Sequence, residues 1–368
     1  MKILFFQWGA FLQKEMEIAL RKLDVEYDVF FYQFQDWEKD DEFVEKFSKK
    51  LNDCGYDKVL SVNFSPLISR VCEEKGIEYR AWVYDSPIHI RDKRDLNNSH
   101  TKVFFFDGGE NHLTLAPEIS CFDKVILSSN ERKKYGVDVA FLGKLYKSDF
   151  GYLMQPLNDY YCGLLNGFVN AQMKVYGGFF LEELITEQLM EELNEFYKKA
   201  SGGTFTVTRE EMLYACATEV TGRERYLALA LLSNRFNVDI YSTDGDERLP
   251  KAHFKGYADY YNEMPKVFKG AKININISLK TIKTGIPLRV LDVMACGGMV
   301  ITNYQEELLE YFVPGQDIVI YENLNDLVEK TKYYLEHEEE RKQIAENGHR
   351  VILEKFKMED RMKVLLEG

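Results

Sequence analysis

Between Thr284 and Gly298 the chain reads Thr-Gly-Ile-Pro-Leu-Arg-Val-Leu-Asp-Val-Met-Ala-Cys-Gly-Gly. An apolar run that reads as a strand, Ala271 to Ile277, comes before it, and apolar periodicity predicts a helix over Pro287–Cys296. Gly285 lets backbone and ligand approach closely. Pro287 suits a first helical turn, where its missing N–H costs nothing. Free N–H groups and the helix dipole make such a start an anion site, well matched to a diphosphate. Arg289 in that turn adds a bidentate phosphate contact. Asp292, three residues on, shares its face and is placed to accept ribose hydroxyls. The same spacing equally describes a plain intrahelical ion pair. Gly297 is the residue expected at a left-handed helix stop.

Other residues that could do chemistry sit where strands end. Asp85 follows the strand that contains Trp82-Val83-Tyr84, at the carboxyl edge where open α/β sheets bind ligands. Its alternative role is a turn residue before Ser86-Pro87. His89 and His112 lie in loops of the same half and titrate in a useful range. Gly9 after the first strand, and Asp107 in the loop Asp107-Gly108-Gly109-Glu110, share that edge. Asp244-Gly245-Asp246 has the spacing of a metal-binding Asp-x-Asp but sits in a polar turn, where Asp-Gly is ordinary. Tyr257, Tyr260 and Tyr261 are candidates for stacking on a base or sugar, or half-buried rings at a helix start. No Gly-x-Gly-x-x-Gly follows the first strand, and Gly-x-Ser-x-Gly and His-Glu-x-x-His are absent.

The elements that must position these residues alternate. Strands are expected at Lys2–Trp8, Val25–Tyr32, Lys58–Val62, Glu78–Val83, Val103–Phe106 and Lys124–Leu127. Helices are expected near Phe11–Lys22, Asp40–Asn52 and Ser65–Lys75, the last capped by Ser65 with Pro66 at its first position. This alternation implies a parallel, doubly wound sheet over residues 1–138. A second such domain spans 139–354, from the strand Val139–Leu142, through Val238–Ser242 and Ala271–Ile277, to Met299–Thr302 and Ile318–Tyr321. Its helices are Arg223–Ser233, Pro265–Lys269, Pro287–Cys296, Asn323–Tyr334 and Glu338–Phe356. Within it, residues 152–217 show no strand and read as a helical insertion broken at Gly202-Gly203. Residues 355–368 form a closing helix.

Composition narrows the partners. The chain has 368 residues, 45% hydrophobic, enough for two cores, and a formal charge of -13 that repels nucleic acid. Its six cysteines are scattered with no Cys-x-x-Cys pair, which suggests buried, reduced thiols. The apolar run Ile3–Phe6 is too short for an export signal, and no segment suits a membrane span. A cytoplasmic location is expected.

The run Gly285 to Gly298, followed by Thr302-Asn303-Tyr304 and Glu307-Leu308, resembles the C-terminal signature of CgeB-like glycosyltransferases. These belong to the wider GT-B group with the Glu-x7-Glu donor motif. Tyr333-Tyr334-Leu335, Glu339-Glu340-Arg341 and Ile344–Gly348 resemble its closing helices. Phe141 to Leu145 resembles the strand opening the donor domain, and Trp82 to Pro87 the attached N-terminal domain. The resemblance implies an α/β fold of the GT-B kind: two Rossmann-like doubly wound domains facing across a cleft. It implies transfer of a sugar from a nucleotide-diphosphate sugar, UDP-linked as the first choice, to a glycan or polymer, with no cofactor or metal and with domain closure excluding water. The donor-side residues are then Lys144, Thr284, Gly285, Ile286, Pro287, Arg289 and Asp292, and the acceptor-side residues Gly9, His89, Asp107 and His112. Asp85 is the base if configuration inverts. Thr284 and Asp292 stand where the motif carries glutamates, which leaves the grip on the sugar open. The departure keeps two other readings in view: a non-catalytic nucleotide- or sugar-binding protein, and an epimerase or hydrolase of sugar nucleotides.

Overall fold

The computed structural model describes residues 1–84, 88, 90, 92–108 and 125–368. The chain divides into two compact units, Met1–Phe122 with Ile352–Gly368, and Asp123–Val351.

In the first unit, β1 (Lys2–Gln7), α1 (Gln13–Lys22), β2 (Glu26–Phe31), α2 (Asp41–Cys54), β3 (Lys58–Val62), α3 (Pro66–Lys75), β4 (Glu78–Val83) and β5 (Thr101–Phe105) follow one another. The strands pair in parallel in the order β2-β1-β3-β4-β5. This is one of the two common doubly wound orders. The helices begin and end on the chemistry of their caps. The Asp40 carboxylate accepts from the Phe43 N–H, and the Ser65 hydroxyl from the Ile68 N–H. Gly76, with φ of 65°, closes α3 in the left-handed conformation that glycine adopts cheaply. Leu4, Phe6, Val59, Phe43, Phe47 and Val71 meet in one apolar core between sheet and helices.

The second unit runs α4 (Ser129–Tyr135), β6 (Val139–Leu142), α5 (Phe150–Met154), α6 (Asp159–Gln172), α7 (Leu181–Leu184), α8 (Glu187–Ser201), α9 (Arg209–Ser233), β7 (Val238–Tyr241) and β8 (His253–Phe254). It continues with α10 (Met264–Gly270), β9 (Ile273–Asn276), α11 (Leu288–Ala295), β10 (Val300–Asn303), α12 (Leu308–Tyr311), β11 (Val319–Tyr321), α13 (Leu324–Glu336) and α14 (Glu338–Lys355). Its parallel sheet has the order β11-β10-β9-β6-β7-β8. Counted from β6, this is the 3-2-1-4-5-6 order of dinucleotide-binding folds, read from the other edge. The sequence predicts this α/β architecture, and the structure has it.

The helical insertion owns a core. Leu165, Val169, Leu193, Tyr197, Met212 and Val220 pack together, apart from the cluster of Phe141, Ile240, Ile275 and Ile301 on the sheet. Gly202, at φ 68°, ends α8. The stretch predicted as a helix from Arg223 is the second half of α9, whose 25 residues span about 37 Å. A capping box of Thr208 and Glu211 starts it, and it buries residues first in the insertion core and then against the sheet.

One predicted strand is absent. Residues 125–127 are irregular, and Lys124 lies outside the described residues. Ile126 is 86% exposed, so pairing there would bury little apolar surface. Ser128 instead forms a capping box with Glu131 that commits the segment to α4.

The last helix, α15 (Met358–Glu367), packs on α1 and β4 of the first unit. Arg80 donates to the Leu365 carbonyl at 2.7 Å, and Lys22 pairs with Glu359 at 2.9 Å. Met362 and Leu365 are buried there.

Candidate functional site

In a doubly wound sheet the ligand crevice opens at the carboxyl ends of the strands flanking the reversal of strand order. In the second unit these strands are β6 and β9. β6 ends on Leu142 and Gly143, and β9 runs on into the loop from Ile277 to Pro287.

Two arginines converge on this point. Arg225, from α9, donates to the carbonyls of Ile277 after β9 and Lys144 after β6. Its guanidinium lies over the rings of Phe141 and Tyr146, at 5.4 and 4.7 Å. Arg289, in the first turn of α11, donates to the Leu142 carbonyl and lies 5.8 Å from the Phe268 centroid. Its Nε is buried and has no hydrogen-bond partner. Gly143 lies between them, at a φ of 157° that residues with a side chain rarely adopt; a Cβ there would stand 3.6 Å, an ordinary contact, from Nη1 of both arginines. Burial pushes the Arg225 guanidinium down to about 10, with the like charge of Arg289 adding to the effect. Burial lowers Arg289 as well. Two desolvated cations side by side favour an anion between or beside them.

The predicted helix start is present, shifted by one residue. α11 begins at Leu288, so Pro287 is the residue before the first turn (φ -59°, ψ 136°) rather than in it. Val290 donates its N–H back to the Pro287 carbonyl at 2.9 Å, and the N–H groups of Leu288 and Arg289 come before the first intrahelical acceptor. Gly285, Ile286 and Pro287 are buried in the approach to the helix. Gly297 takes φ 66° just past the end of α11.

Asp292 is buried, 1% exposed, and accepts a hydrogen bond from the Tyr260 hydroxyl at 3.2 Å. Thr284 donates its hydroxyl to Glu307 Oε1 at 2.8 Å, and the Glu307 N–H returns to the Thr284 carbonyl at 3.2 Å. A buried carboxylate therefore stands beside Thr284 although the residue itself has none. Lys144 is exposed after β6, and its carbonyl is taken by Arg225. The loop after β9 is clamped to α9 by a buried pair, Lys280 Nζ to Glu224 at 2.8 Å. The Tyr321 hydroxyl donates to Glu224 at 3.0 Å, and Lys280 lies 4.5 Å from the Tyr176 centroid.

In the first unit, Gly9 follows β1 with φ 92° and donates its N–H to Gln13. Asp107 is half-buried just after β5. Beside Gly9 an apolar slot of about 190 Å³ opens between Trp8, Trp37, Asn63 and Phe64. Asp85, His89 and His112 lie outside the described residues. Asp246, of the Asp-Gly-Asp turn, is engaged by Arg248 at 2.6 Å. Of the tyrosine trio, Tyr260 alone is buried, while Tyr257 and Tyr261 are exposed.

Sequence reasoning missed Arg225, the bond from Tyr260 to Asp292, and the pairing of Glu307, quoted above only within the C-terminal signature, with Thr284. For Arg225 a signal existed. Thr221, Glu224, Arg225 and Ala228 recur at helical spacing on the face of α9 that is apolar further along, which marks polar residues held inside for a reason. For Glu307 the signature marked the residue but not its partner, which lies 23 residues away on another loop.

Comparison with known proteins bears on what binds here. Residues 222–367 match the model of a family described as "Glycosyl transferase-like". Over the whole chain the fold is similar to that of sucrose-phosphate synthase from Thermosynechococcus elongatus (TM-score 0.59, 11% identity, 96% of that chain covered). It is also similar to a glycosyltransferase from Rickettsia africae (TM-score 0.57, 11% identity, 99% covered). A third similar structure is Anabaena HepE in complex with UDP and glucose (TM-score 0.55, 11% identity, 98% covered). Each covers 100% of the present chain. At such identities the likeness is one of fold. An uncharacterized protein of Aquifex aeolicus is 25% identical over 104 residues, and the match spans about a quarter of the length of each protein (27% and 26%). The fold is GT-B, and the segment 222–367, which contains both Arg225 and Arg289, is similar to glycosyl transferase-like proteins.

Proposed function

We propose that the protein transfers a sugar from a nucleotide-diphosphate sugar to a glycan, polymer or other hydroxyl-bearing acceptor, and that the second unit binds the donor. The observation that carries this reading is the pair of desolvated arginines, Arg225 and Arg289, at the reversal of strand order and the start of α11. A diphosphate answers that charge. In the transfer, an acceptor oxygen attacks the anomeric carbon, the bond from that carbon to the β-phosphate oxygen breaks, and the electron pair leaves on the nucleotide diphosphate. Preorganised cations aimed at that developing charge lower the barrier without requiring a metal. The acceptor proton goes to a base, for which Asp85 is our candidate if configuration inverts.

Asp292 meets the ribose in this reading, with the Tyr260 hydroxyl holding its place until the diol arrives. Glu307 supplies, beside Thr284, a carboxylate to accept sugar hydroxyls. UDP is our first choice of nucleotide, supported by the UDP bound to HepE on the same fold. The CgeB-like subtype and a cytoplasmic location belong to the same proposal. Among the described residues, no helix is long and apolar enough to cross a membrane.

The test is a thermal-shift panel of nucleotide diphosphates and UDP-, GDP-, ADP- and TDP-sugars on the wild type, followed by a search for released nucleotide with pooled acceptors. Stabilisation by one nucleotide family is expected, because a ligand that binds only the folded state raises its melting temperature. Absence of any shift at millimolar ligand would overturn the donor assignment. Stabilisation with no nucleotide release under any acceptor would favour a binding protein.

A further inference from the structure

The first unit reverses its strand order between β1 and β3, with β2 beyond the one and β4 beyond the other. The carboxyl ends of strands at such a reversal open a crevice for a ligand. The apolar slot of about 190 Å³ lies there. Trp8 follows β1, Asn63 and Phe64 follow β3, and Val83 ends β4. Trp37, from the loop after β2, and Ile88 and Ile90, after β4, complete the lining.

Both tryptophans are pinned by their polar ends. Trp8 Nε1 donates to the Val62 carbonyl and Trp37 Nε1 to the Phe64 carbonyl, each at 2.9 Å. Each indole N–H is therefore spent on the backbone after β3, and what the rings offer the slot is carbon. The two rings stand edge to face, 5.0 Å apart at 73°. Trp37 also meets Phe34 at 4.6 Å, and Phe34 meets Phe6 and Phe43 in the core behind it. The slot is thus the open end of an aromatic array. Phe64 is buried, whereas both indoles are only half-buried and keep apolar surface in water.

The lining selects a chemistry. Apart from the two committed indoles, Asn63 is its one polar side chain, and its Oδ1 accepts the Tyr84 N–H at 3.2 Å. A phosphate or other charged group meets no opposite charge among these residues. A sugar would turn its hydroxyls onto carbon, and unmet hydroxyls are costly to bury. A flat apolar ring has neither difficulty. An apolar void of about 150 Å³ holds a benzene-sized ring, so about 190 Å³ takes a ring with a small substituent. Against the indoles such a ring also gains edge-to-face contacts that a saturated group of equal size lacks.

We propose that this slot holds a single aromatic ring carried by the acceptor, so that the acceptor is a ring-bearing alcohol or phenol. The inference rests on the glycosyltransferase reading for the word acceptor; binding of an aromatic ring at Trp8 and Trp37 stands independently of it.

The test uses the full-length wild type, Ile90→Trp and Trp8→Leu. Ile90 is half-buried, so a larger side chain there fills the slot without opening the core. Phenol and benzyl alcohol are compared with their saturated counterparts, cyclohexanol and cyclohexylmethanol, and with methyl glucoside, by saturation-transfer NMR. UDP is titrated in parallel by calorimetry. Each aromatic alcohol is expected to bind the wild type about three- to tenfold more tightly than its saturated counterpart. Ile90→Trp should weaken that binding about tenfold with UDP affinity held within about twofold, and Trp8→Leu should bring the aromatic and saturated pairs level. The proposal is overturned by saturated alcohols or methyl glucoside binding as well as the aromatic ones, by aromatic binding that survives Ile90→Trp, or by no aromatic alcohol bound to the wild type at millimolar concentration. UDP binding without ring binding would sink the slot and leave the donor reading standing. Ring binding blocked by Ile90→Trp, in a protein that ignores UDP, would uphold the slot and sink the donor assignment instead.

Discussion

Replacing Arg289 by Met separates a ligand-binding arginine from a structural one, because the two roles predict opposite signs. The methionine keeps an apolar stem against Phe268 and removes the charge. The Nη1 atoms of Arg225 and Arg289 each lie 3.6 Å from one point, so they are at most twice that far apart. Two unit charges about 7 Å apart repel by about 2 kcal/mol at an effective dielectric of about 20. Loss of the bond to the Leu142 carbonyl costs about 1 kcal/mol. The lost attraction of Asp292 offsets part of that relief, so the ligand-free variant is expected to be as stable as the wild type or slightly more so, within about 2–4 °C in melting temperature. With a nucleotide diphosphate present the sign reverses. A charge-assisted contact to phosphate is worth about 1.5–3 kcal/mol, so affinity should fall by about 10- to 150-fold. Differential scanning fluorimetry with and without UDP, backed by calorimetric titration, reads both signs on one sample. A ligand-free variant that melts far below the wild type and keeps its UDP-induced shift would refute the reasoning and make the arginine pair a structural device.

Three further outcomes are expected. Glu307→Gln keeps an acceptor for the Thr284 hydroxyl, so UDP should bind as before while any added affinity for the UDP-sugar over UDP disappears; equal preference in both proteins would remove Glu307 from the sugar subsite. Lys280→Met leaves Glu224 buried without its cation and should cost about 3–5 kcal/mol, read by chemical denaturation, with Glu224→Gln added to it recovering part of the loss. In the first unit, the Ser99 hydroxyl, the His100 N–H and its imidazole hold the half-buried Glu73 carboxyl down to about 2 from an ordinary 4.5. A depressed carboxyl contributes stability above its unfolded pKa and loses it as pH falls through the folded one. Glu73→Gln should therefore flatten the acid limb of the stability profile between about pH 4.5 and 2; an unchanged limb would assign that limb to other groups.

Local chemistry was legible in the residues themselves. The strands Lys58–Val62 and Glu78–Val83, and the Ser65–Pro66 start of α3, are written in side-chain pattern and cap chemistry that act over a few residues. So is the helix start after Gly285, to within one residue, because a left-handed stop at Gly297 and an apolar stripe fix its span. The strand expected at Lys124–Leu127 shows the limit: a short apolar run says nothing about whether a partner edge is at hand, and the stronger signal was the capping box beginning at Ser128. The site needed the tertiary structure. Arg225 reaches the anion site from the middle of a helix whose first half belongs to the insertion, and Glu307 reaches Thr284 across a loop of another crossover. The return of α15 onto α1 and β4 is of the same kind. The sequence alone determined which segments fold as strands and helices and where an anion would be welcome, since propensity, capping and helix dipoles are local. Which charges share that place was decided only when the strand order brought the ends of β6 and β9 together, because desolvation and like-charge proximity are properties of the assembled fold.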